Sequence, residues 1–291
     1  MFEVRATDLA ARRGLLRTRT GQLATPALLP VVHPFRQQLP PSELTRAGFT
    51  GVMTNAYLVW KRFRNATPPP IHRLLGFKGV VMTDSGGYQV LEYGEVDVDP
   101  QTITRFQEAL EPDIAIVLDR PTGAHASLRG AGQSVEQTLA AAEKTLETRT
   151  RGDILWTGAV QGGRFVELVA NCSKRLAELP FDLYALGSPV EFMENYDFTI
   201  LVRMILAAKR ELPVDRPFHL FGAGHPLTLP LAVALGCDLF DSASYLLYAR
   251  DGRYMTPWAT ERLSALTTLP CSCGVCTSYS AAELGRMFSP R

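Results

Sequence analysis

The sequence has no long hydrophobic run and almost no net charge. No uninterrupted apolar stretch approaches the roughly 18 residues that a membrane helix needs, and residues 1–5 do not begin a secretion signal. The lack of a membrane-length apolar run and the lack of a secretion signal together predict a cytoplasmic protein without a membrane span. The 30 basic residues oppose 29 acidic ones, which gives a net charge of +1. That balance argues against a basic surface over the whole molecule, although a local patch is enough to bind phosphate groups.

Cysteine is scarce as well, and its five positions are unevenly spread. Three of them, Cys271, Cys273 and Cys276, crowd together near the end of the sequence. Their spacing suits metal-bound thiolates better than disulfides, and it predicts a structural zinc site. Structural zinc is almost always four-coordinate, and neither histidine nor cysteine follows Cys276 here. We therefore expect a zinc site whose fourth ligand is not found in this chain.

The length of 291 residues and the alternation of apolar runs with amphipathic stretches predict an α/β fold, a (β/α)8 TIM barrel. The predicted strands are 25–32, 51–55, 79–83, 113–118, 154–160, 183–186, 218–221 and 238–240. Predicted helices include 42–47, 102–110, 134–149, 165–179, 192–211 and 227–235. The helix at Ser134 is expected to begin with a capping box, SVEQ. The barrel would occupy residues 1–265, followed by a zinc-binding appendage in residues 266–291.

The residues after the predicted strands favour a closed barrel over a doubly wound sheet. Seven of the eight strands end in polar or glycine-rich segments, which begin at Asn55, Asp84, Asp119, Gln161, Gly187, Gly222 and Asp241. A doubly wound sheet concentrates its ligand-binding residues at one crevice, whereas a barrel recruits them from nearly every strand end. We therefore expect the functional site at the carboxyl ends of the strands.

Three acids stand at these strand ends: Asp84, Asp119 and Asp241. Each of them, taken alone, has an alternative interpretation as the cap of the following helix. Together they indicate one site in which one carboxylate attacks an electrophilic carbon, a second holds or moves a proton, and a third binds polar N–H groups. That division of roles suits chemistry at the C1′ of a sugar, with Asp241 as the first candidate for the nucleophile.

Glycine pairs at 86–87 and 162–163 follow two of the strands. Each pair is consistent with a tight turn, but two pairs together suggest a flat ligand lying against main chain. Arg250 and Arg253 follow the candidate nucleophile and would bind the phosphates of a polyanionic substrate, with solvated surface as the alternative. Of the five histidines, His225 is interpreted as a residue that positions a helix start, with a base or ligand as the alternative, and the other four are assigned no chemistry.

Six segments, in this order along the chain, resemble the tRNA-guanine transglycosylases. They are TDSGGYQ at 83–89, VQGG at 160–163, LGSPVE at 186–191, HLFGAGHP at 219–226, FDSASY at 240–245 and CSCGVC at 271–276. The segments after the sixth and eighth strands are more similar to the archaeal type than to the bacterial type. The resemblance extends from near the N-terminus to the end of the sequence.

The resemblance implies a (β/α)8 barrel that exchanges a guanine in tRNA for a 7-deazaguanine through a covalent ribosyl-aspartate intermediate. For the archaeal type, the exchange would occur at position fifteen of the D-loop and the incoming base would be 7-cyano-7-deazaguanine, destined for archaeosine. Asp241 would be the nucleophile and Asp84 the general base that deprotonates the incoming base. The base-binding residues that the resemblance implies are Asp119, Gln161, Leu186, Gly187, Ser85 and Gly86.

Two features of that family have no counterpart in the sequence. The family's zinc site takes a histidine farther along the chain, and the archaeal type continues into RNA-binding domains that end in a PUA domain. We therefore expect a truncated chain or one half of a split enzyme, with a zinc site completed in another way as the alternative. Its partners would be tRNA, 7-cyano-7-deazaguanine and a separate PUA-type RNA-binding subunit, and it would form a homo-oligomer. Two other functions stay open: exchange of a 7-deazaguanine into DNA, and a non-catalytic barrel subunit of a heteromeric transglycosylase.

Overall fold

The computed structural model describes residues 2–64, 66–87 and 97–288. Its first three strands are β1 (Phe2–Asp8), β2 (Ala11–Arg17) and β3 (Gln22–Thr25), which form an antiparallel sheet. The sequence did not predict this sheet. The first predicted barrel strand, at 25–32, is also different, because β3 ends at Thr25 and a separate strand begins at Ala27.

Eight parallel strands form the main sheet: β4 (Ala27–Pro30), β5 (Gly51–Asn55), β6 (Val80–Asp84), β7 (Ile114–Ile116), β8 (Leu155–Val160), β9 (Leu183–Leu186), β10 (Phe218–Leu220) and β11 (Leu239–Ser242). From β5 to β11 each strand pairs with the next, and β11 pairs with β4. A parallel bridge between Val31 and Met53 brings β4 against β5, with Val32 N–H donating to the Met53 carbonyl at 2.8 Å. The predicted barrel of eight strands is confirmed.

The interior of the barrel is filled by one cluster of buried apolar side chains. It contains Leu29, Met53, Val80, Met82, Ile114, Ile116, Leu183 and Leu239 from the strands. Leu16 of β2 and Leu23 of β3 belong to the same cluster, so the N-terminal sheet covers the amino-terminal end of the barrel. Burial of such leucines stabilises the fold by about 1.5–3 kcal/mol each. The strands finish at the opposite end of the barrel.

Ten helices are described around the barrel: α1 (Pro41–Arg46), α2 (Ala56–Phe63), α3 (Ile71–Leu75), α4 (Pro100–Leu110), α5 (Leu128–Thr148), α6 (Val166–Ala177), α7 (Val190–Glu194), α8 (Phe198–Glu211), α9 (Thr228–Ala234) and α10 (Ser244–Arg250). Their apolar faces pack on the outside of the strands, as Leu139 and Val169 do in the cluster around Trp156. None of the helices in the described part of the chain is long and apolar enough to cross a membrane.

The predicted capping box at Ser134 is wrong. The helix α5 begins at Leu128, and Ser127 is its N-cap, because the Ser127 hydroxyl oxygen accepts a hydrogen bond from the Gly130 N–H at 3.1 Å. Ser134 lies inside the helix, where its hydroxyl donates to the Gly130 carbonyl at 3.2 Å. Two glycines, Gly130 and Gly132, hid the first part of the helix in the sequence, because glycine is a weak helix former.

The predicted helix at 192–211 is two helices, α7 and α8. Tyr196 between them has a φ of 56°, a left-handed conformation that interrupts an α-helix. Asp197 then caps α8, since its side chain accepts a hydrogen bond from Ile200 N–H at 3.2 Å. The apolar periodicity continues across both helices and therefore hid the boundary between them. The cap residue Asp197 marks that boundary.

Beyond the barrel the chain forms a small appendage. Its elements are β12 (Arg253–Met255) and β13 (Thr260–Arg262), which pair as a hairpin, a 3-10 turn (Leu263–Ala265), α11 (Gly274–Ser278) and α12 (Ala281–Phe288). Leu263, Ala281 and Leu284 form a separate apolar cluster, against which Tyr254 of the hairpin packs. The segment that carries the three clustered cysteines is therefore anchored on the hairpin.

Candidate active site

The three acids at the strand ends lie at the carboxyl end of the barrel and interact electrostatically. Asp84 ends β6, Asp119 follows β7, and Asp241 lies in β11. Burial, followed by the charge of Asp119, raises the pKa of Asp84 to about 7, and the charge of Asp241 acts in the same direction. Asp119 and Asp241 are only 7% and 8% exposed. The structure therefore brings these three residues together.

Asp119 forms a pair with Gln161. Gln161 Nε2 donates to Asp119 Oδ2 at 2.6 Å, while Gln161 Oε1 accepts from Ser188 Oγ at 2.8 Å and from Thr122 N–H at 3.0 Å. Burial raises the pKa of Asp119 to about 6, and the hydrogen bond from Gln161 opposes that rise. The pair offers a hydrogen-bond acceptor and a donor side by side, an arrangement complementary to neighbouring N–H and C=O groups on a planar base.

Asp241 is held by two donors from the neighbouring strand β10 and the turn after it. Its Oδ1 accepts hydrogen bonds from His219 Nε2 at 2.9 Å and from Gly222 N–H at 3.0 Å. Within the described residues, nothing donates to Oδ2. The carboxylate is thus fixed through one oxygen, and its role as a nucleophile stays a prediction.

His219 had been assigned no chemistry from the sequence. It is fully buried, and its ring lies edge-on to Phe221 with 5.0 Å between the ring centroids. A buried polar side chain in an apolar strand needs a hydrogen-bond partner, and that requirement was the available signal. The sequence did not name Asp241 as the partner, because the contact depends on how β10 and β11 are paired.

Asn55 is a second residue whose contacts the sequence did not reveal. Its Nδ2 donates to Asp84 Oδ2 at 2.8 Å. Its Oδ1 accepts from Leu58 N–H at 2.9 Å and caps α2. One side-chain amide therefore ties the start of a helix to the acid at the end of the neighbouring strand.

Glycines at the strand ends make room for the side chains of the site itself. A Cβ atom at Gly87 would stand 1.9 Å from Asp119 Oδ1, and one at Gly187 would stand 2.1 Å from Gln161 Nε2. At Gly86 the φ is 106°, and a Cβ there would lie 2.6 Å from an atom of α2. At these positions it is therefore other protein groups that lie close to the glycine backbone. The approach of a flat ligand to this backbone stays a prediction. The motif residues at 88 and 89 lie outside the described residues.

Ser85 and Leu186, both predicted to bind the base, make hydrogen bonds within the protein. Ser85 Oγ donates to the Val117 carbonyl at 2.8 Å, and the Leu186 carbonyl accepts from Phe221 N–H at 3.3 Å. Both residues are fully buried. They connect adjacent strand ends, and their contact with a base stays a prediction.

Comparison with known proteins shows the family of the chain. A family model described as queuine tRNA-ribosyltransferase (TGT) matches residues 8–291. The tRNA-guanine(15) transglycosylase of Aeropyrum pernix is 48% identical over 99% of this chain and 56% of its own length. The enzymes with the same name from Methanopyrus kandleri and Methanothermobacter thermautotrophicus are 45% and 43% identical over 98% of this chain. The chain belongs to the tRNA-guanine transglycosylase family.

This membership confirms the resemblance found in the six sequence segments. The chain spans about half the length of the curated relatives it matches, since the three named enzymes are covered over 56%, 62% and 43% of their lengths. The family match reaches from the N-terminal sheet through the barrel to the cysteine-bearing appendage of this transglycosylase family member.

The two arginines predicted to bind phosphate have partners within the protein. Arg250 Nε donates to Gln38 Oε1 at 2.9 Å. Arg253 Nη2 donates to Asp251 Oδ2 at 2.7 Å, and its guanidinium lies 3.7 Å from the centre of the Tyr248 ring. These contacts hold both guanidinium groups in place after β11. Their contact with RNA stays a prediction.

His225 holds the turn between β10 and α9. Its Nδ1 accepts from Leu227 N–H at 3.1 Å, just before α9 begins, and its Nε2 lies 2.9 Å from Thr260 Oγ1 of β13. The first contact agrees with the interpretation of His225 as a residue at a helix start. The second contact links this turn to the hairpin that carries the appendage.

The three clustered cysteines of this family member form a group suited to a metal ion. The Sγ atoms of Cys271, Cys273 and Cys276 all lie within 4.8 Å of one another. Hydrogen bonds from Cys276 and Cys271 lower the pKa of Cys273 to about 7, which favours the thiolate that binds metal. The Tyr254 hydroxyl lies 3.2 Å from Cys276 Sγ. Three thiolates at this spacing suit a soft divalent cation.

Proposed function

We propose that this chain is the catalytic part of a tRNA-guanine transglycosylase that replaces guanine with 7-cyano-7-deazaguanine at position fifteen of tRNA. The observation that carries the proposal is the group of three carboxyl side chains at one end of the barrel. Among them, burial and the charge of Asp119 raise the pKa of Asp84 to about 7, and Asp241 has one oxygen unengaged by the described residues. The names of relatives 40–48% identical to the chain support transglycosylation of guanine in tRNA, and the identity of the incoming base is part of the proposal.

In the first step, Asp241 Oδ2 attacks C1′ of the target nucleotide. The bond from C1′ to N9 breaks, and guanine leaves with the bonding electron pair, so that the ribose is held as an ester of Asp241. The departing base needs a proton. The pKa of Asp84 is about 7, so this side chain carries a proton in about half of the molecules at neutral pH. Asp84 supplies that proton to the departing base.

In the second step, the incoming base gives its N9 proton to the Asp84 carboxylate. Its N9 then attacks C1′, the bond to Asp241 breaks, and the carboxylate is regenerated. Two displacements at one carbon retain the configuration of the sugar. A single acid whose pKa lies near the working pH serves as the donor in one step and the acceptor in the other.

Asp119 and Gln161 recognise the base. The Asp119 carboxylate accepts hydrogen bonds from N–H groups of the guanine edge, and Gln161 Nε2 donates to the carbonyl oxygen at position 6. A 7-deazaguanine has the same edge, so outgoing and incoming bases are bound alike. The target base leaves the RNA stack to reach this site.

The proposal includes a structural zinc ion and a further RNA-binding part. Zinc bound by the three thiolates of the appendage would hold the fold of that segment and take no part in the reaction at the barrel. Because the net charge is only +1, we assign much of the affinity for tRNA to a PUA-type part outside residues 1–291. The protein would act as a homo-oligomer in the cytoplasm.

Incubation of the protein with bulk tRNA and labelled guanine, with and without candidate RNA-binding chains, tests the proposal. We expect the label to enter tRNA and not duplex DNA, which lacks the 2′-hydroxyl. Label in DNA alone would assign the chain to base exchange in DNA. No label in either nucleic acid, with a partner chain that is active by itself, would assign it a non-catalytic role.

A further inference from the structure

The side-chain amide of Gln161 is locked in one orientation. Its Oε1 accepts from Ser188 Oγ at 2.8 Å and from Thr122 N–H at 3.0 Å, and its Nε2 donates to Asp119 Oδ2 at 2.6 Å. A backbone N–H only donates and a carboxylate only accepts, so the oxygen faces Thr122 and the nitrogen faces Asp119. Rotation of the amide by half a turn would place donor against donor at one end and acceptor against acceptor at the other.

Ser188 is the side chain that completes this lock. The Thr122 N–H also donates to Ser188 Oγ at 2.8 Å, which directs the hydroxyl proton of Ser188 toward Gln161 Oε1. The Thr122 N–H is thereby divided between two acceptors. Without the serine hydroxyl, Gln161 Oε1 would lose one of its two donors. The free-energy difference between the observed and the rotated orientation of the amide would then be smaller.

The backbone at Ser188 is strained. Its φ of 61° is a left-handed conformation that favours glycine, and a serine in it stores free energy that the surroundings must offset. Such strain persists only where the surrounding structure fixes the residue, and this conformation places the Ser188 hydroxyl against Gln161. Gly187, the residue before it, leaves the space that the Gln161 amide occupies.

We propose that Ser188 is a positioning residue that makes the site selective for 6-oxopurines. This inference rests on the function proposed above, in which Gln161 faces position 6 of the base. Nε2 has two N–H groups, and the one not used by Asp119 donates to a carbonyl oxygen at that position. A 6-amino group would set donor against donor. The rotated amide would instead present Oε1 and accept the amino group, so the lock separates guanine from its 6-amino analogue.

The test compares the binding of guanine and 2,6-diaminopurine, which differ at position 6 and in the proton that guanine alone carries at N1. The N1 difference is the same for wild type and variants, so a change of preference between them reports on position 6. Isothermal titration calorimetry on the full chain without RNA gives both dissociation constants, and exchange kinetics give KM and kcat. Loss of one hydrogen bond in Ser188→Ala and Ser188→Gly is expected to lower the preference for guanine about tenfold. The preference change should appear in KM, with kcat nearly unchanged. The control is Ser173→Ala, which removes a buried hydroxyl that donates to Val169 in α6, at 2.8 Å.

Three outcomes decide the inference. A lower guanine preference in both Ser188 variants, with the Ser173→Ala control unchanged, supports it. An unchanged preference in both overturns it, and so does a loss in Ser188→Ala alone, because that pattern traces the effect to the backbone and not to the hydroxyl. If Ser188→Ala does not fold, Ser188→Gly decides the question, since glycine accepts the left-handed φ. A wild-type protein that binds neither base contradicts the proposed function itself, which is a different result.

Discussion

The two ends of the barrel hold buried acids in opposite ways. At the amino-terminal end, Asp113 accepts hydrogen bonds from three side chains and two backbone N–H groups, and Asp238 pairs with Arg12 and accepts from a backbone N–H. At the carboxyl end, the described donors to Asp84 and Asp119 are fewer, and the charge of Asp119 acts on Asp84. Donors and a cation stabilise the ionised carboxylates at the amino-terminal end. The carboxylates at the carboxyl end have fewer such partners.

The pKa values follow this difference. Burial favours a high pKa for Asp113, but hydrogen bonds from His72, from Val81 N–H and from a threonine outweigh it and hold the pKa of Asp113 well below its usual range. Burial raises the pKa of Asp84 to about 7 and that of Asp119 to about 6. Burial raises the pKa of an acid only where hydrogen-bond donors do not outweigh it, and at Asp84 the charge of Asp119 adds to the rise.

The largest effect on activity is expected at Asp241. An amide does not attack C1′, so Asp241→Asn should lower kcat for base exchange by roughly 10⁴-fold or more, with little change in the free energy of unfolding. Exchange kinetics and urea denaturation measure the two quantities. A kcat within about tenfold of wild type would remove Asp241 from the reaction.

The opposite pattern is expected at the amino-terminal end. Asp238→Asn leaves Arg12 buried without its counter-charge and should lower the free energy of unfolding by about 3–5 kcal/mol, while the folded fraction keeps its kcat. Urea denaturation measures the loss. The matched control is Asp215→Asn at an exposed position, expected to stay within about 0.5 kcal/mol of wild type. If both variants are equally stable, the view that this end serves stability is wrong.

Asp84 is expected to destabilise the fold at high pH. Its pKa rises from 3.8 to about 7, so between these values the folded protein keeps a proton that the unfolded chain has lost, and stability falls as the pH rises. Asp84→Asn should therefore exceed wild type in free energy of unfolding at pH 8 by about 1–3 kcal/mol and match it near pH 4. Urea denaturation across this range tests the sign.

Asp113 should show the reverse pH dependence. Because its pKa is lowered in the folded state, its contribution to stability is present above its unfolded value of 3.8 and is lost as the pH falls toward the folded value. Asp113→Asn should consequently lose its stability deficit relative to wild type as the pH is lowered. A deficit that grows in acid would contradict the assignment.

The smallest effect concerns the start of α5. Ser127→Ala removes the N-cap and should lower the free energy of unfolding by about 1 kcal/mol. Ser134→Ala, inside the same helix, should change it by less than about 0.5 kcal/mol. Equal losses of unfolding free energy in the two variants would contradict Ser127 as the N-cap and favour the helix start predicted at Ser134.

The sequence located the acids but not their partners. Asp84, Asp119 and Asp241 could be placed at one end of the molecule because parallel strands in a barrel finish at the same edge. The contact from His219 to Asp241 depends on how β10 and β11 are paired, which no local pattern encodes. The N-terminal sheet was missed because β1 is largely exposed and lacks the alternation of a half-buried strand. Ser188 was noted as a strand-end residue, but its conformation and its bond to Gln161 required coordinates.

The most direct test of the account is to identify the residue that holds the ribose. The protein is incubated with tRNA in the absence of free base, denatured, treated with nuclease and protease, and analysed by mass spectrometry. We predict a ribose-containing adduct on the peptide that carries Asp241, and its absence in Asp241→Asn. An adduct on any other residue, or one that persists in the variant, would contradict the central claim that the carboxyl-end acids form the catalytic site.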